Sequence, residues 1–422
     1  MDGVWSLLPL DIVADIALKV ETFEDFIRFS AVCRTWNRAS SLIKHEWSAK
    51  SPVSWLLLAE NPHENTIGVR KCFDISNNNK CYHLNLPQTF GKRCWGSACG
   101  WVAMVDREHN VELFNPITKA QISYPSLEAT YECAKAKLLR LDSSNVNVED
   151  VDFKEDYFTW FMQEFLNSLI VIKVLQGDHY EFVIMLLYSY NERLAFARHG
   201  DQTWTSITVK ENGKIFDAIV KDDHVFALYG DGSLVYWDVN KFYSREIVVP
   251  IDYCPPIDFD PESFEALHKY EKSMNLVQFD CDLFVVLRFK EELGGDVGSD
   301  GELLAYTSDG DDNECSYHTY AFGVFKIDHK SKSWEEIEDL DNLTLFVGDN
   351  YSMGVSRTLA KCLKRNCIYF TDDTAEFWSL AKSSCGGLDM GIFDNKSGQK
   401  WQLYDGDMCP SLYPSIWFIP HF

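Results

Sequence analysis

Positive charge is scarce in this chain: 39 lysines and arginines stand against 64 aspartates and glutamates, a net charge of −25. Such a balance repels phosphate backbones and anionic bilayers, and no local basic patch offsets it. Nucleic-acid and membrane partners are therefore excluded. Cysteine pairs of the C-x-x-C type are absent from the thirteen cysteines. The nearest spacings, Cys94 to Cys99 and Cys362 to Cys367, have no histidine pair beside them, so no zinc site or other metal site is expected. Long greasy runs are missing too. The most apolar stretch, Tyr157 to Leu175, is interrupted by Gln163, Glu164, Asn167, Ser168 and Lys173, too polar for a bilayer core of ~30 Å. The first apolar stretch carries Asp11, Asp15 and Lys19 and is no signal peptide. The cysteines then read as reduced thiols of a nuclear or cytoplasmic protein that is not secreted, and the sequons at Asn342, Asn350 and Asn395 would go unused.

Catalytic signatures are equally lacking. There is no G-x-S-x-G elbow and no glycine-rich phosphate loop, and Asp309 to Glu314 lacks the spacing of a calcium loop. Paired carboxylates occur at Asp222-Asp223, Asp258 with Asp260, Asp311-Asp312 and Asp372-Asp373. A propeller glycosidase needs two carboxyls facing across a sugar, whereas these sit in turn-like stretches and read as solvated turns. The expectation is a protein with no catalytic residue and no cofactor.

What is present falls into two periodicities. From residue 4 to about 47 the pattern is helical. Pro9 suits a first helical turn, and Ile12, Val13, Ile16, Ala17 and Val20 recur at three- and four-residue spacing. Thr22 with Asp25 resembles an N-cap, followed by Phe23, Phe26, Ile27 and Ser30, then Val32, Cys33 and Trp36. Helices this small cannot bury such faces among themselves, so they dock on the rest of the chain or on another protein.

From about residue 50 the pattern becomes short apolar runs divided by polar turns. A strand–turn–strand unit recurs, as in LFNPITKAQISYP from Leu113 and GIFDNKSGQKWQL from Gly391, and reads as a hairpin. The run Phe182 to Tyr190 suits a strand buried on both faces. The marker residues Phe73, Phe114, Phe196, Tyr236, Phe325 and Phe393 are separated by 41, 82, 40, 89 and 68 residues. Steps near forty, with 82 and 89 as near doubles, predict a mainly β C-terminal β-propeller. At ~45–50 residues per blade the length gives roughly 7–8 blades. Trp204, Trp237 and Trp334 are expected in the core between blades. The stretch from Glu291 to Glu314 holds nine acidic residues and no lysine or arginine. It is expected as an exposed, mobile insertion that could attract a basic partner.

Residues 5 to 44, with Leu8-Pro9 at the start and Val32-Cys33-Arg34-x-Trp36 at the end, resemble an F-box. The remainder, through RLAFARHGDQTW, FALYGDGSLVYWDV, LVQFDCDLFVVLRF, GVFKIDHKSKSWEEI, KRNCIYFTDD and the closing YPSIWFIP, resembles the plant F-box proteins with a KIB-type β-propeller, formerly a domain of unknown function. Two features depart from the pattern. Lys19-Val20-Glu21-Thr22 stands where many F-boxes carry a second Leu-Pro, and kelch-type glycine doublets are sparse. The resemblance implies a small all-α three-helix F-box at 1–48 and a substrate-binding propeller at 49–422. It further implies a Skp adaptor on an edge formed by Leu8, Pro9, Ile12, Ile16, Val32, Cys33 and Trp36. Through that adaptor would come a cullin, making the chain the non-catalytic substrate-recognition subunit of an SCF-type ubiquitin ligase with an unknown target protein. The alternative is a scaffold or sequestering protein that uses the propeller without engaging a ligase.

Overall fold

A computed structural model describes residues 4–50, 54–60, 68–134 (except 78 and 98), 161–238 (except 177–178, 190–191, 208, 210–212, 222–223 and 231), 270–292 (except 281), 317–349 (except 329–332), 351–373 (except 357–359 and 361), 389–403 and 413–421. The pairs Asp222-Asp223, Asp258 with Asp260, and Asp311-Asp312 lie outside these residues. So does the acidic stretch beyond Glu292, the last residue of a strand.

The N-terminal helices form where the spacing places them. Helix α1 (Leu10–Ala17) follows Pro9 and buries Val13 and Ala17, one turn apart on one face. Helix α2 (Phe23–Ser30) starts at Thr22, whose Oγ1 accepts the Asp25 N–H at 3.1 Å. Helix α3 (Arg34–Lys50) is twice as long and supplies Ala39 and Trp47 to a core shared with Val13, Ala17, Phe26 and Phe29. Phe26 stacks on Trp47 at 4.3 Å, and the Trp47 indole N–H donates to the Val20 carbonyl at 2.7 Å.

Beyond residue 54 the elements are mainly strands. They fall into six units. The first runs Ile416–Phe418, Trp55–Leu57, Val69–Asp74, Lys80–Asn85, and the second Arg93–Trp95, Val102–Val105, Val111–Phe114, Gln121–Tyr124. The third is Leu166–Gln176, His179–Tyr188, Arg193–Arg198, Thr205–Ile207, and the fourth Ile215–Lys221, His224–Tyr229, Leu234–Asp238. The fifth (Tyr270–Phe279, Asp282–Glu292, Tyr317–Asp328, Ser333–Glu336) joins the sixth through a single parallel pair, Gln278 with Met353. The sixth is Met353–Ser356, Leu343–Val347, Cys367–Phe370, Gly391–Asp394, Lys400–Trp401.

Each neighbouring pair of units encloses its own apolar cluster. The period of two along a strand explains how one strand serves two clusters. In His179–Tyr188, Ile184 and Leu186 face Leu113 and Trp95 of the second unit, while Val183, Met185 and Leu187 face Ala227 and Trp237 of the fourth. Leu228, Leu276 and Trp334 fill the fourth-to-fifth contact, and Val286, Leu345 and Phe370 the fifth-to-sixth. Leu56, Phe346 and Trp417 fill the sixth-to-first, and Leu57, Met104 and Phe114 the first-to-second. The ring closes because the C-terminal strand pairs antiparallel with Trp55–Leu57, Leu56 opposite Trp417. Gly100, at φ +84°, lets the terminal tail pass, since a Cβ there would overlap His421.

The propeller is the architecture that the hairpin spacing predicts, and all six aromatic markers lie on the third strand counted outward in units one to five or on its counterpart in the sixth. Among the described residues the strands form six blades where the spacing predicts roughly seven to eight. The steps of 82 and 89 residues are single blades. They contain the intervening stretches 135–160, 239–269 and 293–316, which carry no periodic signal, and the long strands Leu166–Gln176 and Asp282–Glu292.

Candidate functional site

Trp5, Leu7, Ile12, Ile27, Val32 and Leu42 are large, apolar and exposed, and they lie within the first fifty residues. Only Phe90 and Tyr320 are comparable among the other described residues. Leu7 is 82% exposed and Val32 60%, values that a soluble surface tolerates singly but that here recur on one small bundle. Among the residues singled out from the sequence, Pro9, Ile12 and Val32 are exposed. Leu8, Ile16 and Trp36 are half-buried against the helical core, and Cys33 is half-buried. The Trp36 indole N–H donates to the Trp5 carbonyl at 3.2 Å and its ring lies 4.2 Å from Phe29, which ties the start of α3 to the N-terminal turn. Trp5, Leu7 and Leu42 escaped the sequence reading because they interrupt no periodic stripe. Ile27 belongs to the periodic apolar set of α2 and is exposed.

The helices are fixed to the first blade at one corner. Phe23 lies between Trp47, 6.0 Å away, and Trp55 of the propeller, 5.3 Å away and edge-on. Next to it the Glu24 carboxylate meets Arg28, Lys80 and the Tyr82 hydroxyl, the last at 3.0 Å. The Lys80 ammonium is the main reason that this carboxyl titrates below its ordinary range. Burial and the bond to Glu24 push the Tyr82 phenol up.

A second feature lies where inner strands converge. Arg93 donates to the Leu166 carbonyl at 2.9 Å and to Asp349 at 2.8 Å, bonding the second unit to the third and sixth. Asp217 accepts the Leu276 N–H at 2.7 Å, bonding the fourth to the fifth. Arg288, fully buried, meets Asp373 and Asp389, each at 2.8 Å, and Lys290 meets Asp373 at 2.7 Å. The Asp372-Asp373 pair is therefore no solvated turn. Asp372 has no exposed surface, and the cations that hold Asp373 come from a strand some eighty residues away. Burial pushes the Asp373 carboxyl up, but Arg288 and Lys290 outweigh it and hold the group at about 2. For Asp217 burial wins and the carboxyl rises to about 7. Asp349, opposed by Arg93, rises to about 6. Arg93, Arg288 and Lys290 are matched by Asp349, Asp373 and Asp389, Asp217 has no cation beside it among the described residues, and all of these groups serve as cross-blade bonds.

The repeat tryptophans sit as expected: Trp237 and Trp334 are buried between blades, and Trp204 packs against the second-to-third cluster. No group of three or more histidine, cysteine, aspartate or glutamate side chains among the described residues has the arrangement to hold a metal ion.

Comparison with known proteins adds to this geometry. Residues 5–46 match the F-box domain model and residues 72–394 match the model of the KIB1-4 beta-propeller. The chain is 23% identical to the probable F-box protein At4g22060 of Arabidopsis thaliana, over 99% of this chain and 96% of that one. It is 23% identical to F-box protein SKIP23 of the same plant, covering 94% and 90%, and 23% identical to F-box/kelch-repeat protein KIB1, covering 88% and 78%.

Proposed function

From the premise that this chain belongs to the F-box proteins with a KIB1-4 beta-propeller, we propose that it is the substrate-recognition subunit of an SCF-type ubiquitin ligase. The F-box binds a Skp-type adaptor, and through it a cullin, while the propeller holds the target protein. The observation that carries this reading is the concentration of exposed apolar side chains on the helical bundle. Covering a Leu, Ile or Val side chain is worth roughly 1.5–3 kcal/mol, and three such side chains give an adaptor ample purchase. Leu8, Pro9, Ile12, Ile16, Val32, Cys33 and Trp36 form the proposed contact, extended by Leu7.

The mechanism is proximity, with the chemistry done by other subunits. Holding a target near a loaded conjugating enzyme raises its effective concentration, and that gain depends on a fixed geometry. Phe23 and Glu24 supply it by clamping α2 to Trp55, Lys80 and Tyr82 of the first blade.

The test uses Leu7→Asp with Val32→Asp. Both side chains are mostly exposed, so the bundle keeps its core. Binding to a purified Skp-type adaptor should fall at least about tenfold, the effect of 1.4 kcal/mol, with an unchanged melting temperature. Adaptor binding at wild-type affinity would leave the scaffold alternative in place of the ligase reading.

A further inference from the structure

Between the second and third blades lies a cavity of about 330 Å³, open to solvent on one side. Its two walls follow from two different periodicities. On the third blade, Arg193 stands directly opposite Tyr188, Ala195 opposite Leu186, and Ser206 opposite Ala195, so alternate residues of three strands present one face. Trp204, two residues before Ser206, continues that face. The other wall is the face of helical residues 128–134 that carries Thr130 and Cys133. His109 holds this helix in place. Its carbonyl accepts the Leu127 N–H at 2.8 Å, its Nδ1 lies 2.8 Å from Glu128, and its ring packs 4.0 Å from Tyr131.

The floor is apolar, from Phe165, Leu186 and Ala195, all buried. Trp204 is pinned by its N–H to the Pro125 carbonyl at 3.0 Å, which leaves its ring as a fixed flat surface. Among the described lining residues Arg193 is the only charged one, in a protein of net charge −25. Arg193 makes no ion pair among the described residues, whereas Arg198 at the far end of its strand is paired with Glu181 at 3.3 Å. An apolar floor beside the flat Trp204 ring, a guanidinium at the edge and no carboxylate among the described lining residues select one kind of ligand. The volume is at the small end of the range for ligand sites, about 300–1,000 Å³, enough for a group the size of one amino acid.

We propose that this cavity binds an aromatic carboxylate, its ring against Trp204 and Tyr188 and its carboxylate on Arg193. A free small acid and the C-terminal aromatic residue of a target peptide present the same chemistry. The site does not involve the adaptor surface, so it stands or falls separately from the ligase reading.

The experiment uses the full-length protein without adaptor and three probes: N-acetylphenylalanine, N-acetylphenylalaninamide, and pentaglycyl-phenylalanine with a free C-terminus. Binding is read by calorimetry and by protection of Cys133 from iodoacetamide, resolved by peptide mass spectrometry, with the exposed Cys81 as internal control. The free acid should bind at least tenfold more tightly than the amide and protect Cys133 but not Cys81. Arg193→Gln, at an exposed position, should keep the fold and remove the difference between acid and amide. Tighter binding of the peptide than of the free acid identifies a chain terminus as the natural source, and the reverse order identifies a free small acid. Equal affinity for acid and amide in the unaltered protein, or no protection of Cys133 at millimolar probe, would overturn the proposal.

Discussion

Between residues 4 and 50, Leu7, Ile12, Val32 and Leu42 turn apolar side chains toward solvent, while in the propeller Arg93, Arg288, Lys290 and Asp372 are sealed from it. Each region thus places in the wrong medium what the other places in the right one. Among the described residues the helical bundle has a core of six buried side chains and is too small to cover more, so its excess is, under the proposed function, the surface offered to the adaptor. The propeller has apolar surface enough to fill the interfaces between its described blades, and its buried ions bond strands and loops of different blades to one another. Exposed apolar groups are free to be covered, whereas buried charges must stay matched. The proposed function therefore implies opposite consequences for a single substitution: weaker adaptor binding in the first region, lower stability in the second.

The sharpest way to break this contrast is at Asp373. Asp373→Ala leaves Arg288 and Lys290 short of a buried counter-charge, and breaking such a match costs on the order of 3–5 kcal/mol. Urea denaturation should show that loss, while the helical core around Trp47 stays unaltered. A loss below about 1 kcal/mol, the value for exposed pairs, would mean that the cluster is hydrated and the contrast false.

At the border of the two regions the expected effect is smaller. Phe23→Ala removes two aromatic contacts, each worth about 0.5–1.5 kcal/mol, so stability should fall by roughly 1–3 kcal/mol. The more informative readout is geometry. Small-angle scattering should show a wider distribution of distances between bundle and propeller, and an unchanged profile would assign the clamp to Glu24 and its partners instead.

The sequence made much of this architecture legible, for physical reasons that differ by element. Val13 and Ala17 are buried because a helix face is a local property, and Thr22 caps α2 because the N–H that its hydroxyl accepts lies three residues away. Hairpin turns are local as well. Asn115 Oδ1 accepts the N–H groups of Ile117 and Thr118, each at 2.9 Å, and Asp394 Oδ1 those of Lys396 and Ser397 in the sixth unit. The blade count was hidden because intervening stretches dilute a period without changing it. Asp373 read as a turn residue because its partners Arg288 and Lys290 are remote in sequence, and the cavity beside Trp204 needs a helix from one blade and three strands from another. Of the apolar surface of the bundle, Pro9 and Val32 lie in motifs that the sequence marks, but Leu7 and Leu42 stand alone in their segments and show only when exposure is known.

The effect that separates paired from unpaired charge inside the propeller concerns Asp217. It accepts the Leu276 and Ala218 N–H groups, each at 2.7 Å, yet burial without a cation lifts its carboxyl to about 7. In the unfolded chain an aspartate titrates near ~3.9. Between these two values the folded protein keeps a proton that the unfolded chain has released, so stability falls as pH rises from about 4 to about 7 and is level above that. Asp349, raised to about 6 against the pull of Arg93, adds a slope of the same sign. Asp373 works in the other direction, losing its contribution only as pH falls toward 2, outside the useful range. Melting curves at pH 5 and pH 8 therefore isolate the raised carboxyls. Asp217→Asn carries no charge, but the Ala218 N–H bonds to Oδ1 and the Leu276 N–H to Oδ2, so the amide keeps an acceptor for only one of them and that loss offsets part of the gain. The variant should gain roughly 1–3 kcal/mol over the unaltered protein at pH 8, little or nothing at pH 5, and show a shallower pH slope, with the remainder due to Asp349. An equal change at both pH values would mean that Asp217 is ionised throughout, and that hydrogen bonds alone suffice where Asp373 depends on Arg288 and Lys290.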